Sequence, residues 1–401
     1  MFSLQEILSP IDKNEFFRKY WNKRSLHIPG NKNKFRDLFG WNNFNDILSQ
    51  HRLESPRIRL ELGGKSEEEL AFMGSRPARR GGQIPLIDIP VLYGHLKDGA
   101  TLVLDSLDES NTNVSRLCEN LTRELGAIAE ANSYTAWKNS PGFGLHWDDH
   151  DLFVLQLSGK KHWSLYGAER EYPLYRDTNA NLEPPTDLLW EGTVSAGDVV
   201  YVPRGHWHSA VGMNEPTLHI TVGINNPTGI DMLSWLVDEL RDEVEYRKDI
   251  PRFESKKLIE AYINQLKEIL DRKWGEDICT RYDEFRQATT RQRMHFSLPF
   301  GATSNALPSS NFTIRFTGAT HTKICPSADN LGLIEFNALG RNWIFSKKSE
   351  PLLTLILGGE DIKYEDLSNG SDFSVNELDC TLVALIEQGL IYISEFDVND
   401  I

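Results

Sequence analysis

The stretch Leu145-His146-Trp147-Asp148-Asp149-His150-Asp151 runs directly into Leu152-Phe153-Val154-Leu155-Gln156-Leu157-Ser158-Gly159-Lys160-Lys161. Phe153, Leu155 and Leu157 alternate with Val154 and Gln156, and this period of two predicts a strand. Ser158-Gly159 supplies turn residues, so Lys161 to Tyr166 reads as the returning strand of a hairpin. Further short strands are expected at Asp198 to Val202, Ser209 to Val211 and Thr217 to Val222, separated by Gly and Pro. Many short strands with turns between them indicate a β-barrel or a double-sheet jelly roll.

Outside this region the texture changes. Residues 1 to about 125 mix short helical and strand patterns, among them Glu15 to Trp21 and the apolar run Ala100 to Leu104. After Pro227, Ile230 to Tyr246 and Ser255 to Trp274 carry apolar residues three and four apart, the spacing of amphipathic helices. Leu258, Ile259, Tyr262, Ile263, Leu266, Ile269 and Leu270 form one broad stripe, suited to covering the barrel or to pairing with a second subunit. Ser374-Val375-Asn376-Glu377 is a capping box that opens a helix closing at Gly389, and Leu390 to Ile393 reads as a strand. With a helix at Glu350 to Leu357, this last segment has the outline of a winged helix. The chain is therefore expected to be α+β, in three segments: 1–228, 229–295 and 296–401.

Bulk composition narrows the function classes. A chain of 401 residues with 43 Lys and Arg against 58 Asp and Glu carries a formal charge of -15. That argues against general nucleic-acid affinity, which needs phosphate-neutralising cations, and fits a basic partner better. Cys118, Cys279, Cys325 and Cys380 lie far apart, with no metal-binding or disulfide-framework spacing. No basic and apolar leader pattern opens the sequence and no run of eighteen apolar residues occurs, so the expectation is a cytoplasmic protein without a membrane partner.

His146 and Asp148 are two apart, and in an extended strand such residues point to the same side. Two imidazoles and one carboxylate are the donor set of a non-haem Fe(II) oxygenase, with the opposite face of the metal left open. The second imidazole would come from Gly197-Asp198-Val199-Val200-Tyr201-Val202-Pro203-Arg204-Gly205-His206-Trp207-His208. Spacing does not choose between His206 and His208, which are expected to face the same side of a strand. Lys161, on the returning strand, would be costly inside an apolar barrel unless an anion met it there.

Asn132-Ser133-Tyr134-Thr135, the run from Gly142 to Trp163, Gly197 to His208 and Leu218 to Val222 together resemble the JmjC-type ribosomal oxygenases. These are Fe(II)- and 2-oxoglutarate-dependent protein hydroxylases of the cupin superfamily. Weaker similarity at Tyr20 to Leu26, Ala100 to Leu107 and Arg293 to Pro299 extends the resemblance over nearly the whole chain. It implies a JmjC double-stranded β-helix (a cupin barrel), a helical dimerisation module and a C-terminal winged-helix-like domain. It implies His146, Asp148 and His208 as iron ligands, with His208 preferred over His206. It further implies Lys161 as anchor of the 2-oxoglutarate side carboxylate, Asn132, Tyr134 and Thr221 as lining of the cosubstrate pocket, and a homodimer.

The expected reaction is hydroxylation of an amino-acid side chain in a protein or peptide, with a ribosomal-protein-type substrate favoured. A tailoring hydroxylase of peptides or natural products, using the same chemistry, is one alternative. A non-oxidative metal-binding cupin or interaction module is another. Trp147 and Trp207 flank the ligand positions with bulky rings and are expected to shape the substrate entrance. Asp372 to Gln388 contains no Lys or Arg, which disfavours DNA binding by the last segment.

Overall fold

A computed structural model describes residues 2–397 except 64, 66–69, 140–141, 176, 178–182, 291–292, 303–306, 309–311, 319–321 and 328–329. The chain divides into two units, Met1–Asn226 and Pro227–Ile401.

The first unit contains strands β1 (Leu26–Ile28), β2 (Ile58–Glu61), β3 (Met73–Pro77), β4 (Gln83–Ile87), β5 (Thr101–Leu104) and β6 (Ile128–Ala136). They are followed by β7 (Asp151–Ser158), β8 (Lys160–Ala168), β9 (Leu188–Ser195), β10 (Val199–Val202), β11 (His206–Gly212) and β12 (Thr217–Asn225). A seven-stranded sheet runs in the order β1-β10-β7-β12-β6-β5-β2, and a three-stranded sheet in the order β11-β8-β9. The β7–β8 hairpin crosses from one sheet to the other at Gly159. Its φ is +68°, and a Cβ there would come within 2.2 Å of the Pro216 carbonyl oxygen, so the crossover requires glycine.

The alternation along β7 separates two buried faces rather than a buried face from a wet one. Phe153 and Leu155 join the large core formed with the N-terminal helices, where Phe16 packs edge-on to Tyr201 at 4.9 Å. Leu152 and Val154 face the other way, into a smaller cluster with Trp163, Leu165, Val194, Val200 and Val202 from both sheets. A fully buried Leu or Phe contributes about 1.5–3 kcal/mol, so both faces hold the barrel together. The helix Thr112–Leu125 shows how local sequence closes one element of this core. The Asn111 side chain accepts from the Asn113 and Val114 N–H groups at its start, Gly126 ends it at φ +62°, and Val114, Leu117, Cys118 and Leu121 are buried.

In the second unit the helix Lys256–Trp274 matches the expected stretch from Ser255, whereas the stretch expected from Ile230 to Tyr246 is broken at residues 241–243 into the helices Gly229–Leu240 and Val244–Arg247. A further helix, Ile278–Thr289, was not foreseen, because its apolar residues are too sparse to show a clear period. Trp235, Leu236, Leu240, Ile278 and Tyr282 form one buried cluster. The rest of the unit has its own core, built on Phe312, Ile314, Phe316, Leu352, Leu353 and Leu382. The helix Val375–Glu387 opens with the expected capping box at Ser374 and Glu377, and Gly389 follows it at φ +75°. The strand Ile391–Glu395 then pairs with Thr313–Phe316. No helix among the described residues is long and apolar enough to cross a membrane.

Candidate metal centre

His146 and Asp148 do not lie in a regular strand, contrary to the expectation from their spacing. His146 makes a single antiparallel bridge with His208, its N–H donating to the His208 carbonyl at 3.1 Å and its carbonyl accepting from the His208 N–H at 2.7 Å. Asp148 is held through its backbone carbonyl, which accepts from the Gly205 N–H at 2.9 Å. The result still brings the side chains together. Asp148 Oδ2 lies 3.4 Å from His208 Nε2 and 3.8 Å from His146 Nε2. One donor atom from each residue falls within 4.8 Å of the others, and among the described residues this is the group so arranged for a metal ion.

Each imidazole is oriented through its other nitrogen. His146 Nδ1 is 3.1 Å from the Gly144 carbonyl, and His208 Nδ1 is 3.1 Å from the His206 carbonyl. A carbonyl can only accept, so Nδ1 carries the proton and Nε2 turns its lone pair toward the shared space. Burial, reinforced by the neighbouring His146, pushes His208 down to about 4. It is therefore neutral at neutral pH, the form that ligates a metal.

His206 and His208 do not face the same side. The β11–β8 register shifts between them, His206 standing opposite Ala168 and His208 opposite Leu165, so the bulge cancels the two-residue alternation. The His206 ring instead approaches Ser25 Oγ at 3.4 Å, in a separate polar cavity of about 220 Å³ lined also by Asn22, Tyr172 and Arg204. Substituting His206→Asn should leave Co(II) affinity unchanged in a calorimetric titration, whereas His208→Asn should abolish it. Equal losses would mean that the bulge does not divide the two roles.

Gly205 ties this geometry to the backbone. Its φ is +80°, its N–H holds Asp148, and a Cβ there would sit 2.6 Å from Pro173 Cδ. Gly205→Ala is expected to lower stability by about 1–3 kcal/mol. It should also weaken metal binding, because the loop that carries Asp148 must move. Urea unfolding midpoints and a Co(II) titration read the two effects separately.

Behind the cluster is a cavity of about 390 Å³ lined by His146, Asp148 and His208 together with Asn132, Tyr134, Lys161 and Thr221. Lys161 lies on the central strand of the small sheet and is 4% exposed. No carboxylate pairs with it among the described residues, and burial alone lowers its pKa from 10.5 to about 8. Asn132 Oδ1 accepts from the Ser106 N–H at 2.9 Å, and Thr221 stands opposite Asn132 and Val154 in the ladders of β12. Tyr134 is stacked on His219 at 5.0 Å, and burial raises its phenol well above the usual range.

Other residues of the lining were not singled out in the sequence. His219 is buried, and burial, with the Lys161 charge second, holds it well below the usual imidazole range. Its position two residues before Thr221 on the same strand was the available signal. Trp163 stacks near His208 with ring centroids 6.0 Å apart. Arg59 reaches the cavity from β2, is held by Asp105 at 2.8 Å and lies over the Phe143 ring, and nothing in the linear sequence connects these residues. Neither Trp147 nor Trp207 is among the residues lining the cavity; Trp207 is buried, and Trp147 is half-buried between His146 and Asp148.

Residues 107–232 match the family model of the JmjC domain. The chain is 26% identical over 263 residues to "Bifunctional lysine-specific demethylase and histidyl-hydroxylase NO66" of Brugia malayi, covering 62% of this chain and 36% of that protein. It is 30% identical over 257 residues to "Ribosomal oxygenase 1" of Gallus gallus, covering 61% and 41% respectively. The chain thus spans less than half the length of these curated relatives. The crystal structure of Escherichia coli ribosomal oxygenase YcfD shares the fold with a TM-score of 0.62 at 15% identity, over 96% of this chain and 98% of that one. YcfD has also been solved in complex with cobalt and 2-oxoglutarate, a structure that superposes here with a TM-score of 0.60 at 15% identity over 96% of this chain and 99% of that one.

Proposed function

We propose that this JmjC-domain chain is an Fe(II)- and 2-oxoglutarate-dependent oxygenase that hydroxylates an amino-acid side chain of a protein or peptide. The observation that carries the reading is the pairing, in one cavity, of a His146–Asp148–His208 donor set with the buried Lys161, which has no carboxylate partner among the described residues. Two imidazoles fixed in the ligating tautomer and a carboxylate fit a divalent iron. A dicarboxylate reaching from that metal toward Lys161 satisfies the charge of the lysine. When bound, iron with 2-oxoglutarate as reductant would activate dioxygen, one oxygen atom going into the substrate C–H bond and the other into succinate as carbon dioxide leaves.

The chain's own share is placement and exclusion. His146, Asp148 and His208 would hold the metal, and all three line the cavity. Lys161 receives the far carboxylate, and Asn132, Tyr134 and Thr221 line the space between. The apolar cluster of Leu152, Val154, Trp163 and Leu165 keeps water from that end.

A ribosomal-protein-type substrate is favoured by the names of the relatives, and a basic one by the charge of -15. We assign residues 229–295 to a dimerisation module. In support, the helix Lys256–Trp274 has no buried residue, and Leu258 and Ile263 on it are 53% and 44% exposed. The segment 296–401, with a core of its own, is read as a winged-helix-like domain that does not bind nucleic acid.

The test supplies Fe(II), 2-oxoglutarate and oxygen, first alone and then with ribosomal proteins. Iron-dependent formation of succinate, with one added oxygen on a single peptide by mass spectrometry, is the expected result. No succinate under any condition, with metal bound and the protein folded, would remove the oxygenase reading. It would leave the non-oxidative cupin.

A further inference from the structure

The unit Met1–Asn226 contains a further cavity, of about 660 Å³, that shares no lining residue with the one behind His146 and Asp148. Its volume is in the range of small-molecule sites. Its walls come from the helix Trp41–Gln50 (Trp41, Phe44), the helix Ile89–Asp98 (Leu92, Leu96), Leu102 of β5 and Trp137 just beyond β6.

The aromatic wall is held in place. Trp41 Nε1–H donates to Ser158 Oγ at 3.2 Å, and its ring lies 5.7 Å from Trp137 and 6.1 Å from Phe44. The charged members of the lining are Lys97 and Lys138, and no carboxylate joins them. Among the described residues neither lysine has an ion-pair partner, in a chain with 58 acidic and 43 basic side chains. Two exposed lysines at an apolar cleft whose lining holds no carboxylate favour an occupant that has both a hydrophobic body and a negative charge.

We propose that this cavity is a binding site for a small organic anion with an aromatic or hydrocarbon body and a single carboxylate. The body fills the space between the two helices, against Trp41 and Trp137, and the carboxylate lies toward Lys97 and Lys138. The site is independent of the proposed oxygenase chemistry.

The full-length chain is titrated with dodecanoate, with tryptophan emission and displacement of anilinonaphthalene sulfonate as readouts. Dodecanol and dodecyltrimethylammonium are the neutral and cationic controls. One dodecanoate per chain should bind, at least about tenfold tighter than either control. Lys97→Gln combined with Lys138→Gln should remove that preference while leaving dodecanol affinity unchanged. Leu96→Glu, introducing a like charge among the walls, should abolish dodecanoate binding, and thermal unfolding checks that this variant is folded. Absence of saturable binding, equal affinity for the cation, or a preference that survives loss of both lysines would each overturn the proposal. Because Co(II) titration of the metal centre does not involve these residues, a failure here leaves the oxygenase reading intact.

Discussion

Asp148→Ala is expected to abolish metal binding and every activity that depends on it. Under anaerobic conditions, wild-type protein given Fe(II) and then 2-oxoglutarate should develop a visible charge-transfer band, and the variant should show none. Among the three candidate ligands Asp148 is the carboxylate, so it alone brings negative charge to the metal. Removal of an outer-shell partner from a metal site costs about 10–100-fold in affinity, and removal of the sole anionic ligand should exceed that. The fold should survive, because the backbone carbonyl of residue 148, not its carboxylate, accepts from Gly205. An unchanged band in Asp148→Ala would mean that the iron sits elsewhere.

Lys161→Ala should leave metal affinity intact and raise the 2-oxoglutarate concentration needed for half-saturation by roughly 30- to 4000-fold. That range is what removing one member of a buried charge pair costs, about 2–5 kcal/mol. The lysine also sets a pH dependence. Its pKa is lowered by burial from 10.5 to about 8, so between those values the unfolded chain holds the proton more tightly than the folded one. Stability of the protein without cosubstrate therefore rises with pH across that window. Below about pH 8 both states are protonated and the folded chain carries the full cost of the buried charge, about 3 kcal/mol. A bound carboxylate raises the lysine pKa again, so affinity for 2-oxoglutarate should fall as pH climbs from 8 to 9. An affinity flat across that range, in wild type and Lys161→Ala alike, would show that Lys161 does not meet the cosubstrate.

Much of the site was legible because its signals are local. The β7–β8 hairpin followed from the alternation of Phe153, Leu155 and Leu157 and from Ser158-Gly159, and Lys161 faces inward with Trp163 two positions on. Asn132, Tyr134, His146, Asp148, Lys161, His208 and Thr221, picked out along the sequence, all line one cavity. What the alternation rule missed was where regular strand stops. His146 is tied to His208 by an isolated bridge, Asp148 is held from Gly205, and the bulge before His208 sends His206 to another cavity. Arg59 was invisible for a different reason: it enters through pairing of β2 with β5, whose partners are forty or more residues apart in sequence.

By itself the sequence determined the elements, the residue types and their periodicity: a strand-rich region with His and Asp donors, followed by amphipathic helices. Those are properties of neighbouring residues, and period, turn chemistry and capping act over a few positions. Tertiary structure alone decided how His206 and His208 are sent to different cavities, that Lys161 is buried without a carboxylate partner among the described residues, that His219 backs Tyr134, and that an apolar cleft remains between the helices Trp41–Gln50 and Ile89–Asp98. Each depends on burial and on contacts between distant segments. Neither quantity exists until the sheets have paired and excluded water.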